Sequence, residues 1–281
     1  MSILHIPSNP AMTGQARIHL NVVFSTATGT PLSCAILTPW NEAPETPYPA
    51  IVFVQGSAWQ FPDIGYEIPQ LSEYARAGYV VMTVTHRNCL DGHPFPAFLE
   101  DVKTAVRYLR TNADKYHVDP ERIAIWGTSS GGNTSMLVAM TADDPRYKTE
   151  EYADVSDGVR CAVQCFGPTD LESLFAYHRA AGSTDNTLPN ALAGDRPYEE
   201  VMREMSPYQI AEEGKAYPPI FMIQGNADYV VPWEQGEMML KKYQEVGANA
   251  QLVCIDGAPH EGPFWSKAVH EQIFAFLAQY L

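Results

Sequence analysis

The chain has 281 residues, 46% hydrophobic and 18% charged, which suits one large α/β domain around an ample core. Its 18 Lys and Arg against 33 Asp and Glu give a formal net charge of −15, which excludes a nucleic-acid or anionic-membrane partner, since both need a basic face. The five cysteines (Cys34, Cys89, Cys161, Cys165, Cys254) are scattered and show no CxxC or Cys/His ligand spacing, so no metal site is expected.

The opening MSILHIPSNPAMTGQ lacks a basic n-region and a long apolar run, and no later run is apolar enough to span a bilayer. A cytoplasmic, reduced protein is the expectation. Ala16 to Thr26 alternates, with Ile18, Leu20 and Val22 on one face; Gly29-Thr30-Pro31 is a turn, and Leu32 to Thr38 returns. The pair predicts an antiparallel hairpin at a sheet edge. Pro39 to Pro49, with four prolines, is a surface connection, and Ala50 to Val54 is an apolar run suited to a central parallel strand.

Gln55-Gly56-Ser57-Ala58-Trp59 follows that strand directly. Ligands bind at the carboxyl ends of strands in open α/β sheets, and small residues there let backbone N–H groups approach a substrate oxygen. The N–H groups of Ser57 and Ala58 are therefore candidate oxyanion donors, with Ser130 N–H as the third; an ordinary strand–helix turn is the alternative. Ile68 to Ala77 reads as a helix ended by Gly78, Tyr79 to Thr85 as a buried strand, and Phe98 to Tyr116 as one strong amphipathic helix. His93, on the loop between them, has no neighbour in sequence to orient it and is not assigned a role. Val118-Asp119-Pro120-Glu121 reads as a turn.

Arg122 to Met140 organises the chain. Ile123 to Trp126 has the β-branched and aromatic content of a buried strand, and Asn133 to Met140 reads as a helix. Between them, Gly127-Thr128-Ser129-Ser130-Gly131-Gly132 makes a tight strand-to-helix turn with Ser129 at its apex. Side chains at 127 and 131 would collide with neighbouring backbone, so glycines stand there. The helix N-terminus favours developing negative charge beside the serine.

Beyond the elbow, Val159 to Phe166 is a strand ending at Gly167-Pro168-Thr169-Asp170. The span 172–216 breaks the strand–helix rhythm with short helical pieces and aromatics, and reads as a small cap over the site within a single domain. Pro219 to Gln224 and Gln251 to Ile255 are the last strands, and Gln235 to Val246 and Trp265 to Tyr280 the last helices. A serine nucleophile needs a base in hydrogen-bond reach and a third group to hold that base. Asp228 follows the strand ending at Gln224 and His260 the strand ending at Ile255, so both leave the same sheet edge as Ser129. Asp170 and Asp256 are rivals for the acid. Trp59, Phe95, Asp170, Phe175, Tyr177, Phe264 and Trp265 are candidate pocket residues; cap-to-core packing is the other reading of the aromatics.

The motifs Val54-Gln55-Gly56-Ser57-Ala58-Trp59, Asp119-Pro120-Glu121-Arg122-Ile123 leading into the elbow, Asp228-Tyr229-Val230-Val231-Pro232 and His260-Glu261-Gly262 resemble the α/β-hydrolase superfamily. Within it they resemble the carboxylesterases related to hormone-sensitive lipase and the bacterial feruloyl and acetyl esterase group. The resemblance covers nearly the whole chain, although Gln55 stands where the family usually has His, and Ser57 and Ala58 where it has glycines. It implies the α/β-hydrolase fold: a mostly parallel sheet with an N-terminal antiparallel edge hairpin, helices on both faces and a small cap insertion. It also implies ester hydrolysis without a cofactor, on a small-molecule ester, by Ser129, His260 and Asp228, with activity falling as His260 is protonated. The C-terminal half is similar to the prolyl-oligopeptidase catalytic domain as well, but about 50 residues ahead of the first core strand cannot supply that family's propeller. A non-catalytic binding protein on a hydrolase fold is the third reading, disfavoured because all three triad candidates are present. Oligomeric state is left open, a homodimer included.

Overall fold

The computed structural model describes residues 2–41 and 44–281, so part of the proline-rich connection after the hairpin lies outside the described residues. Eight strands form one sheet in the order β1-β2-β4-β3-β5-β6-β7-β8. β1 (Ala16–Ser25) and β2 (Leu32–Pro39) form the predicted antiparallel hairpin, and β2 also runs antiparallel to β4 (Val80–Val84). From β4 onward, β3 (Tyr48–Val54), β5 (Val118–Thr128), β6 (Ala162–Cys165), β7 (Ile220–Gly225) and β8 (Ala250–Ile255) are parallel.

Alternation along the central strands builds a core on each face. Val52, Val54, Met82, Ile125 and Met222 point to one side, where α2 (Ala97–Thr111), α4 (Ser130–Met140) and α9 (Glu234–Glu245) cover them. Ile51, Phe53, Trp126, Val163 and Phe221 point to the other, under α1 (Ile68–Arg76) and α10 (Lys267–Tyr280). The span 172–216 is helical: α5 (Leu171–Ala180), α6 (Thr187–Ala193), α7 (Tyr198–Glu204) and α8 (Pro207–Ile210). Its apolar residues Leu174, Phe175, Leu192, Val201, Met202 and Met205 join the same core as α2 and α4. Asn133 on α4 ties the segment down by donating to the carbonyls of Pro168 and Met205.

Three details differ from the sequence reading. The expected long helix breaks at Asn112 into α2 and the single turn α3 (Ala113–Tyr116). The expected turn at 118–121 lies inside β5, where Tyr48 pairs with Val118 but Ala50 with Ile123. That register shift accommodates Pro120, which has no N–H for the ladder. Ile18 and Leu20 are 42% and 60% exposed, because β1 is the edge strand and its register slips between His19 and Val22.

Candidate active site

β5 delivers Ser129 through backbone contacts too close for any side chain. A Cβ on Gly127 would lie 2.1 Å from the carbonyl oxygen of Gly131, and one on Gly131 would lie 2.0 Å from that of Val54. The chain therefore reverses at Ser129 with φ 51° and ψ −124°, a positive φ that a non-glycine residue adopts only when its surroundings dictate it. Ser129 N–H is fixed on the carbonyl of Cys165, 2.9 Å, and α4 begins at the next residue.

The other two groups arrive from β7 and β8. His260 Nε2 lies 2.9 Å from Ser129 Oγ, and His260 Nδ1 lies 2.7 Å from Asp228 Oδ2. A carboxylate only accepts, so Nδ1 carries the proton and Nε2 is left to accept from the serine hydroxyl. Asp228 is itself held on every side. Its Oδ1 accepts from Val230 N–H at 2.8 Å and Val231 N–H at 2.9 Å, and its Oδ2 from Gln224 Nε2 at 3.2 Å. The ring of Phe166 packs edge-on against His260, centroids 4.7 Å apart.

The rival acids are engaged elsewhere. Asp170 caps α5 by accepting from Ser173 N–H and receives Gln209 Nε2 at 2.6 Å, while Asp256 accepts from Asn226 Nδ2.

The candidate oxyanion loop departs from expectation at one donor. Ser57 N–H donates to Ser130 Oγ, 2.9 Å, and Gly56 N–H to Thr128 Oγ1, 2.9 Å, because both residues flanking Ser129 carry hydroxyls that face the loop. Among the described residues this leaves Ala58 N–H and Ser130 N–H, the first N–H of α4, without a protein acceptor.

A cavity of about 430 Å³ opens on Ser129 and His260, lined by Gln55, Gly56, Ser57, Ala58, Asp63, Tyr66, Val230 and Glu261. None of the aromatic pocket candidates is among these. Trp59, Phe95, Phe175 and Phe264 are buried in the core: Trp59 and Phe95 pack on Phe98, and Phe264 on Phe166. Trp265 stacks on His270, and Tyr177 sits on α5 beside His178. The lining residues that sequence reasoning missed, Asp63, Tyr66 and Val230, lie on loops whose approach to Ser129 depends on the whole sheet. Glu261 carried a signal, since it directly follows His260. The carboxyl of nearby Glu67 is pushed up to about 7 by burial and by the charge of Glu261.

A family profile described as BD-FAE matches residues 36–243, well over half of the chain. The chain belongs to the BD-FAE family. The span of the match runs from β2 to α9 and so includes the oxyanion loop, the elbow and the Asp228 loop. Esterase LipC of Mycobacterium tuberculosis is 31% identical over 80% of this chain and 56% of its own length. The chain spans about half the length of the curated relatives it matches.

A truncated carbohydrate esterase from gut microbiota superposes with a TM-score of 0.77 at 27% identity, covering 97% of this chain and 99% of that one. A propionate-bound esterase of Thermogutta terrifontis does so with a TM-score of 0.76 at 25% identity, covering 96% of each. The fold is the α/β-hydrolase fold, and the relatives are named esterases and carboxylic ester hydrolases. No helix among the described residues is long and apolar enough to cross a membrane.

Proposed function

We propose that the protein is a serine carboxylesterase that hydrolyses short-chain or aromatic carboxylic esters through an acyl-enzyme. The observation that carries this reading is the unbroken run of contacts from Asp228 through His260 to Ser129 Oγ, ending in an open cavity. The named esterases among the relatives support the reaction class. The cavity's size suits a small ester.

In this reading His260 Nε2 takes the hydroxyl proton as Ser129 Oγ bonds to the ester carbonyl carbon. Asp228 stabilises the resulting imidazolium, and Ala58 and Ser130 N–H hold the oxyanion. As the carbon–alkoxy bond breaks, His260 returns the proton to the leaving alcohol. Water then repeats the sequence on the acyl-serine and releases the acid.

Hydrolysis of p-nitrophenyl acetate, butyrate and octanoate, methyl ferulate and an Ala-Pro p-nitroanilide, by wild type and Ser129→Ala, tests it. Short or aromatic esters should turn over, the variant should be silent, and an organophosphonate should label Ser129. Cleavage of the anilide alone would replace the reading with a peptidase, and no reaction by wild type would remove it.

A further inference from the structure

The oxyanion loop reaches Ser129 under unusual constraint. Ala58 and Trp59 are consecutive non-glycine residues with φ of 51° and 56°. Side chains disfavour that region, so such a pair relaxes unless its neighbours hold it. The far end of the loop is held within itself and by the next loop: Ser57 Oγ donates to Gln60 O at 2.6 Å, Gln60 N–H to Ser57 O at 3.0 Å, and Cys89 N–H to Trp59 O at 3.1 Å. The near end is held from across the site. Two successive N–H groups, Gly56 and Ser57, donate to the hydroxyls of the two residues on either side of the nucleophile, Thr128 and Ser130, each at 2.9 Å. Both hydroxyl-bearing residues are buried, at 0% and 2% exposure, so little water competes for these bonds. Gly56 leaves no slack either: a Cβ there would lie 2.8 Å from Ser129 Cβ.

We propose that Thr128 and Ser130 are positioning residues whose hydroxyls clamp the oxyanion loop to the nucleophile elbow, fixing Ala58 N–H relative to Ser129 Oγ. The proposal rests on the serine esterase reading above. Ser130 has two separate tasks here: its N–H faces the oxyanion, and its Oγ holds the loop that carries the other donor. The clamp withholds Ser57 N–H from the oxyanion and in return keeps Ala58 in a conformation that it would otherwise leave. Because the oxyanion forms only in the transition state, loosening the clamp weakens transition-state binding more than substrate binding.

The test compares the full chain with Ser130→Ala and Thr128→Val, and with Ser130→Thr and Thr128→Ser, which keep the hydroxyls. Steady-state kcat and KM on p-nitrophenyl butyrate are measured across the acid limb of the pH profile. Affinity for a trifluoromethyl ketone, which forms a hemiketal oxyanion on the serine, is measured alongside. Each hydroxyl deletion should lower kcat roughly tenfold with KM within about twofold, a partial loss of the 10²–10³ typical of removing one oxyanion donor. Ketone affinity should fall in parallel, the acid limb should stay where it is, and the hydroxyl-retaining variants should recover most of the rate.

An unchanged or raised kcat in Ser130→Ala would overturn the clamp, and a rise would mean that Ser57 N–H is a donor held back by Ser130. Should Thr128→Val fail to fold, Ser130→Ala, which removes one oxygen atom, decides alone. A wild type that neither turns over the ester nor binds the ketone would instead remove the esterase reading, and the clamp with it.

Discussion

Ser129 and its two partners are held in place by different physics. The serine is placed by exclusion: Gly127, Gly131 and Val54 approach so closely that only one path through the elbow exists. Asp228 and His260 are placed by attraction, through four hydrogen bonds on one carboxylate, on loops with far more room. The acid side has one comparable steric contact, a Gly225 whose Cβ would lie 2.2 Å from Ala258 O. Exclusion makes a site rigid and intolerant of change, whereas attraction lets it degrade by steps.

The largest expected effect follows from exclusion. Gly127→Ala puts a methyl 2.1 Å from Gly131 O and 2.6 Å from Ser135 Oγ, with backbone on the nearer side that cannot step away. It should cost more than about 4 kcal/mol and leave little folded protein, as read by urea unfolding and expression yield. Gly257→Ala, on the histidine loop, has φ 72° but open space around it and should cost only about 1 kcal/mol. Comparable losses at the two positions would break the distinction.

Asp228→Asn should separate geometry from chemistry. The amide oxygen can keep the N–H groups of Val230 and Val231, so the loop stays, but the amide nitrogen would face the donating Gln224 Nε2, so stability should fall by about 1–2 kcal/mol. The amide nitrogen, however, would donate to His260 Nδ1, force the proton onto Nε2, and leave no acceptor for the Ser129 hydroxyl. A fall in kcat of about 10³–10⁴ is expected. A fall below about tenfold would mean that Asp228 does not set the tautomer.

Gln224→Leu probes the layer behind. Gln224 is fully buried at the end of β7, and its Nε2 bridges Asp228 Oδ2 at 3.2 Å and Val231 O at 2.7 Å. Its loss should lower kcat roughly tenfold and stability by about 1–2 kcal/mol, measured on the same preparation. If stability falls while kcat holds, the bridge serves the loop and not the carboxylate.

The same contrast explains how far the sequence could be read. Steric exclusion writes itself as glycine, so the elbow and its strand and helix are visible in Gly127-Thr128-Ser129-Ser130-Gly131-Gly132. The loops bearing Asp228 and His260 could be found because each follows an apolar strand run at the correct sheet edge. What fills the space around them could not. Trp59, Phe95, Phe175 and Phe264 look like pocket walls in sequence because they adjoin candidate functional loops, yet all four are buried in the core, where Trp59 and Phe95 pack against Phe98 and Phe264 against Phe166. The donation from Ser57 N–H to Ser130 Oγ spans 73 residues, and nothing local to either position announces it.

A pH-dependent effect tests Glu67, the residue after the cavity-lining Tyr66. Glu67 is buried at the N-terminus of α1, and burial together with the charge of Glu261 raises its carboxyl from 4.5 to about 7. In the unfolded chain it ionises near 4.5, so between that pH and about 7 the folded state holds a proton that the unfolded state has released. Stability from this group is therefore present at low pH and is lost as pH rises through about 7. Glu67→Gln, which is neutral throughout, should flatten that decline and leave the protein more stable than wild type at pH 8, by at most about 3 kcal/mol. Urea midpoints at pH 5 and pH 8 measure it. Glu261→Gln should remove only the part of the slope caused by its charge, so its midpoint difference should fall between those of wild type and Glu67→Gln. If Glu261→Gln leaves the slope untouched, burial alone raises Glu67, and the charge beside His260 has no hold on it.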